Sequence, residues 1–128
     1  MKHLFLVLLP ALVIGSNALA LTFSGDCKIG QFGQEVTFGS FQLDMDDLNH
    51  THTDMRFKFP GGNTSYVATA EVLHRNEVYL YYSRFDGPKL VNRGASGGNA
   101  VGSKLVFFDQ FKLENTIGQL ICSGTIDE

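Results

Sequence analysis

The stretch Asn49-His50-Thr51-His52-Thr53-Asp54 holds the residue types that most invite chemistry: two imidazoles two positions apart, then a carboxylate. Histidine is the commonest protein metal ligand, so one function class is a metal-dependent enzyme or metal carrier using His50 and His52. On a strand, alternate residues share a face about 6.6 Å apart, so both rings can address one ion; His50 and Asp54 would lie about 13 Å apart. A zinc site needs three or four ligands, and beyond the N-terminal segment the only other histidine is His74. The next residues set the phase. Met55-Arg56-Phe57-Lys58-Phe59 alternates apolar with charged, which turns Met55, Phe57 and Phe59 inward. Asp54, Arg56 and Lys58 then face water, as do His52 and His50 when the phase is continued backwards. The pair reads as two ligands of an incomplete site.

Two further stretches resemble catalytic or ion-binding motifs. Gly94-Ala95-Ser96-Gly97-Gly98 fits G-x-S-x-G, but a nucleophile elbow needs a strand before it, a helix after it and an α/β sheet beneath. Asn99-Ala100-Val101-Gly102-Ser103 is a poor helix, so Gly94 to Ser103 reads as a flexible glycine-rich loop. The acidic run from Asp44 places Leu48 and Asn49 where a calcium loop requires an oxygen ligand and a glycine, and it reads as a charged connection. No cofactor is indicated, and a non-catalytic role fits these motifs best.

The elements that must position these residues begin after an export signal. Met1-Lys2-His3 precedes an apolar run from Leu4 to Ile14 and then Ala18-Leu19-Ala20, the pattern of a cleaved signal peptide spanning residues 1–20. The run is eleven residues, short of the roughly 20 a membrane-spanning helix needs. Removing 20 of 128 residues leaves 108, enough for a single β domain over 21–128. Without Lys2, nine basic residues face thirteen acidic ones, and the net charge of −4 argues against nucleic acid or an anionic membrane surface as partner. The protein is expected to be secreted or periplasmic.

Two cysteines in an exported chain predict one disulfide, Cys27 to Cys122, which brings the first and last segments together. In the chain-entropy account, closing so long a loop contributes roughly 4 to 5 kcal/mol.

Between the cysteines the segments are rich in Phe, Tyr, Val, Ile and Thr and broken by Gly, Asn, Asp and Pro, as in strands. In Glu35 to Met45 the apolar phase moves from even positions (Val36, Phe38) to odd ones (Phe41, Leu43, Met45), predicting a bulge or bend at Gly39-Ser40. Tyr66 to Leu73 and Glu77 to Phe85 form a hairpin. A two-residue turn at Arg75-Asn76 would pair Tyr79 with Val72; a three-residue turn, His74-Arg75-Asn76, would pair Leu73 with Glu77. The second register sorts the side chains better. Ala68, Ala70, Val72, Val78, Leu80 and Tyr82 share one face, and Thr69, Glu71, Tyr79, Tyr81 and Ser83 the other. Leu90 to Asn92 reads as a short strand. Lys104-Leu105-Val106-Phe107-Phe108 combines high β-propensity with hydrophobicity and predicts a central strand covered on both faces, with Lys104 and Asp109 as flanking charges.

These readings predict an all-β protein: a single-domain antiparallel β-sandwich or small β-barrel whose terminal segments are joined by one disulfide. Irregular alternation and that disulfide disfavour an outer-membrane barrel. The expected role is binding of a protein, a glycan or a small apolar ligand, with Tyr79 and Tyr81 as an outward aromatic ladder beside Glu71. Asn49-His50-Thr51 and Asn63-Thr64-Ser65 are glycosylation sequons in a eukaryotic host alone.

Overall fold

The computed structural model describes residues 20–31, 34–45, 50–59, 62–73 and 77–128. The signal-peptide reading of residues 1–20 falls almost wholly outside them, as do His74 and the rest of the predicted turn. Eight strands follow in order: β1 (Thr22–Gln31), β2 (Gln34–Asp44), β3 (Thr51–Lys58), β4 (Thr64–Leu73), β5 (Glu77–Asp86), β6 (Lys89–Gly98), β7 (Lys104–Lys112) and β8 (Ile117–Asp127). They form two antiparallel four-stranded sheets, β2-β1-β8-β7 and β3-β4-β5-β6. Every strand pairs with its neighbour in sequence except across β2/β3 and β6/β7, and β1 pairs with β8. The topology is thus an up-and-down barrel opened along two seams into a sandwich.

The predicted disulfide closes this arrangement. Cys27 and Cys122 are direct partners on β1 and β8, their Cα atoms 4.1 Å apart and both residues fully buried. Phe23, Leu80, Leu105, Leu120, Ile126, Val72 and Val78 belong to the same core cluster as the two cysteines, with almost no exposed surface. Burial on this scale, together with a bond that forms in oxidising compartments, is how a short chain with a small core holds a fold.

The hairpin takes the three-residue register: Leu73 pairs with Glu77 and Val72 with Val78. All six residues assigned to its inner face are buried. The phase of β3 also holds, with Met55 and Phe59 buried, Phe57 half-buried and Asp54, Arg56 and Lys58 exposed. The change of phase in β2 is a β-bulge at Phe38, one residue before the expected place: Cys27 pairs with Gly39 and Lys28 with Thr37.

Three expectations are corrected. Gly94 to Ser103 is not a loop throughout, since β6 runs from Lys89 to Gly98 and pairs with β5. Its glycines are the reason it pairs so closely. A Cβ at Gly94 would lie 2.6 Å from the Tyr82 ring, and one at Gly97 2.8 Å from the Tyr79 ring, so each tyrosine occupies the space its glycine partner leaves free. β7 is not central either. Because β8 is held to β1, β7 is left at the sheet edge with Leu105 and Phe107 buried but Val106 and Phe108 about half exposed.

Asp109 is likewise no flanking surface charge. It continues the inward phase of Leu105 and Phe107 and is 5% exposed. Its Oδ2 accepts a hydrogen bond from the Tyr66 hydroxyl at 2.6 Å and lies 3.2 Å from Arg84 Nη1, while Asn92 Nδ2 donates to its Oδ1 at 2.7 Å. Arg84 Nη1 also donates to the Gln110 carbonyl at 2.8 Å, and its guanidinium stands 5.6 Å from the centre of the Phe111 ring. Side chains from β4, β5 and β6 thus converge on one carboxylate from β7. The cluster ties the two sheets across a seam that lacks backbone pairing. Burial and the Asp109 charge hold the Tyr66 phenol far above its ordinary range and push Tyr82 up to about 12.

Candidate functional site

The outer face of the β3-β4-β5-β6 sheet collects the residues picked out in the sequence. Period-2 alternation and the hairpin register bring them into two rows across four strands. One row is His52, Glu71, Tyr79 and Gly97; the next is Asp54, Thr69, Tyr81 and Ala95. Tyr79, Tyr81 and Glu71 therefore share one surface, and it is bordered by His52 on β3 and by His50 just before that strand.

Hydrogen bonds organise the carboxylates. His50 Nε2 donates to Glu71 Oε2 at 2.7 Å, with the Glu71 side chain 18% exposed. Thr69 Oγ1 donates to Asp54 Oδ1 at 2.7 Å, and Arg56 Nη2 to Asp54 Oδ2 at 3.1 Å. The Tyr79 hydroxyl donates to Glu77 Oε2 at 3.2 Å, and that bond raises the Tyr79 pKa above its ordinary value. Partial burial raises that of Tyr81, followed by the charges of Glu71 and Asp54. Both phenols remain protonated donors at neutral pH.

His50 and His52 stand with ring centres 6.0 Å apart, as their spacing predicts. The residue that meets His50 is Glu71, in an ion-pair geometry. Among the described residues no group of three or more His, Cys, Asp or Glu side chains is placed to hold a metal ion.

Sequence reasoning missed what lies beside Tyr79. A shallow depression of about 350 Å³ is lined by Glu77, Tyr79, Gly97, Gly98 and Asn99. It combines an aromatic ring, a carboxylate, a side-chain amide and an accessible glycine backbone. The signal was present in the spacing, since Tyr79 and Tyr82 are three apart and so are Gly94 and Gly97. One antiparallel register matches both pairs. Ser96, the would-be nucleophile, pairs with Leu80 within β6, two residues before the strand ends, with no helix after it, so the nucleophile elbow is absent here.

The chain matches no known protein family, no curated protein and no solved structure, and the chemistry of this face is read from its own residues.

Proposed function

We propose that the protein is an exported, non-catalytic binding protein, secreted or periplasmic, that holds a neutral glycan on the outer face around Tyr79, Tyr81 and Glu71. The observation that carries this reading is the depression beside Tyr79, where a ring meets Glu77, Asn99 and the Gly97-Gly98 backbone. A sugar ring offers an apolar C–H face to an aromatic body and hydroxyls to acceptors and amides, and tyrosine serves both demands. Asp54 and Glu71 lie in the two rows and Glu77 lines the depression, and this acidic character disfavours anionic sugars. The buried disulfide agrees with export, since such bonds persist in oxidising compartments.

A glycan array probed with untagged protein tests the reading. Neutral oligosaccharides should be retained, and Tyr79→Ala should weaken binding about tenfold or more, the scale of one lost aromatic contact. Absence of any glycan binder, or retention that ignores Tyr79→Ala, would leave a protein partner as the better account of this face.

A further inference from the structure

We infer a second binding site, independent of the tyrosine face, that takes a small neutral aromatic or aliphatic molecule at the end of the β2/β3 seam. A cavity of about 380 Å³ opens there, lined chiefly by Ile29, Val36, Phe38, Phe57 and Phe59. That volume lies within the range of small-ligand pockets, roughly 300 to 1,000 Å³.

The fold explains why the cavity exists. β2 and β3 are the edges of different sheets and share no backbone pairing. The bulge at Phe38 brings that ring to 5.4 Å from Phe57, so the two form a wall across the seam. Beyond the bulge Val36 pairs with Ile29 on β1. Ile29 is 5% exposed whereas Val36 is 65% exposed, although their pairing puts them on the same side of the sheet. Core packing therefore covers the Ile29 position and stops short of Val36, and the cavity lies between.

The lining selects the ligand class. Among the described residues no charged side chain borders the cavity; its surface is aliphatic and aromatic, and its polar groups are those of Gln31 and Gln34 with the Gly30 backbone. A fatty-acid carboxylate or an ammonium group would lose hydration there with no counter-charge in return. A neutral ring or branched aliphatic group would instead cover Val36, Phe38 and Phe57 and lose nothing polar. Phe57 and Phe59 meet edge to face at 5.3 Å, an arrangement that accepts a further aromatic ring.

The test uses the neutral probe N-phenyl-1-naphthylamine, whose fluorescence rises in apolar surroundings, with the full secreted protein. Titration should show saturable enhancement at one probe per chain. Val36→Glu, a change at an exposed strand position, should weaken binding at least about tenfold, equivalent to 1.4 kcal/mol, while Val36→Leu binds as the wild type does. Methyl resonances of Ile29 and Val36 should shift on titration, and those of the exposed Val106 and Ile117 should stay still. Tyr79→Ala should leave probe binding unchanged, so this site and the glycan face fail separately. No saturable enhancement, undiminished binding by a folded Val36→Glu protein, or shifts centred on Val106 and Ile117 would each overturn the inference.

Discussion

Asp109 on β7 and Arg84 on β5 form an ion pair across the seam between the two sheets, Nη1 3.2 Å from Oδ2, with side chains 15% and 5% exposed for Arg84 and Asp109. The pair stands where backbone hydrogen bonds between β6 and β7 are missing. Asp109→Ala would leave Arg84 without its counter-charge and Tyr66 without its acceptor. The expected cost is about 3 to 5 kcal/mol, measured by urea denaturation. Replacing both partners, Arg84→Met with Asp109→Leu, should cost less than Asp109→Ala alone, because no unpaired charge remains buried. A double variant less stable than the single one would show that Arg84 acts chiefly through the Gln110 carbonyl and the Phe111 ring rather than through Asp109.

The same cluster sets an alkaline limit. Tyr66 and Tyr82 have phenols raised above the ordinary value of 10.0, Tyr82 to about 12, so in the folded protein they hold protons that the unfolded chain releases. Their stabilising contribution is complete below pH 10 and is lost as pH rises through the folded values. Each withheld proton steepens the loss by about 1.4 kcal/mol per pH unit in that window. Denaturation series at pH 9, 10 and 11 should show a flat start and then a fall. Tyr82→Phe should flatten the fall; an unchanged slope in that variant would contradict the assignment.

Two glycines on β6 should respond differently to the same change. Gly94→Ala drives a methyl group against Tyr82, which is 5% exposed and has no room to move. A loss of about 1 to 3 kcal/mol is expected. Gly97→Ala meets Tyr79 on the outer face, where the ring can swing away, so stability should change by about 0.5 kcal/mol or less. Glycan binding should nevertheless fall in Gly97→Ala, because the ring leaves the depression. Equal melting-temperature losses for the two variants would argue against the outward placement of Tyr79.

Phe108 and Val106 expose apolar surface on an edge strand, the arrangement that favours strand-to-strand aggregation. Phe108→Thr should leave the unfolding free energy within about 0.5 kcal/mol of wild type while lengthening the lag before light scattering rises at elevated temperature. An unaltered lag would mean that the flanking Lys104 and Lys112 already protect this edge.

Reducing the buried disulfide, or replacing it by Cys27→Ala with Cys122→Ala, should cost roughly 4 to 5 kcal/mol, since the bond closes a loop across a sequence separation of 95 residues. Calorimetry of the oxidised and double-alanine proteins measures it directly. A loss under about 1 kcal/mol would mean that the β1/β8 pairing already holds the termini together.

Local pattern and tertiary placement divide cleanly in this chain. Alternation in Met55 to Phe59 and the sorting of polar from apolar residues in the β4/β5 hairpin were legible, because a one-residue slip would have put alanine and valine in water and Glu71 in the core. The same reasoning placed Tyr79, Tyr81 and Glu71 on one face. It misjudged the segment Gly94 to Gly98, whose strand character depends on rings contributed by another strand. It also misjudged β7, because hydrophobicity says that one face must be covered but not which strand stands at an edge.

The residues alone carry the all-β class, the disulfide partners, the hairpin register and the outward phase of His50 and His52, since each follows from side-chain periodicity or from a count of two thiols. Their assembly required the tertiary structure. Pairing of β8 with β1 leaves β7 exposed, draws Asp109 inward to Arg84, and opens the two seams, one held by that ion pair and the other lined by Phe38 and Phe57. The physical reason is that periodicity is a property of one strand, whereas edges, seams and buried ion pairs arise only where strands distant in sequence meet.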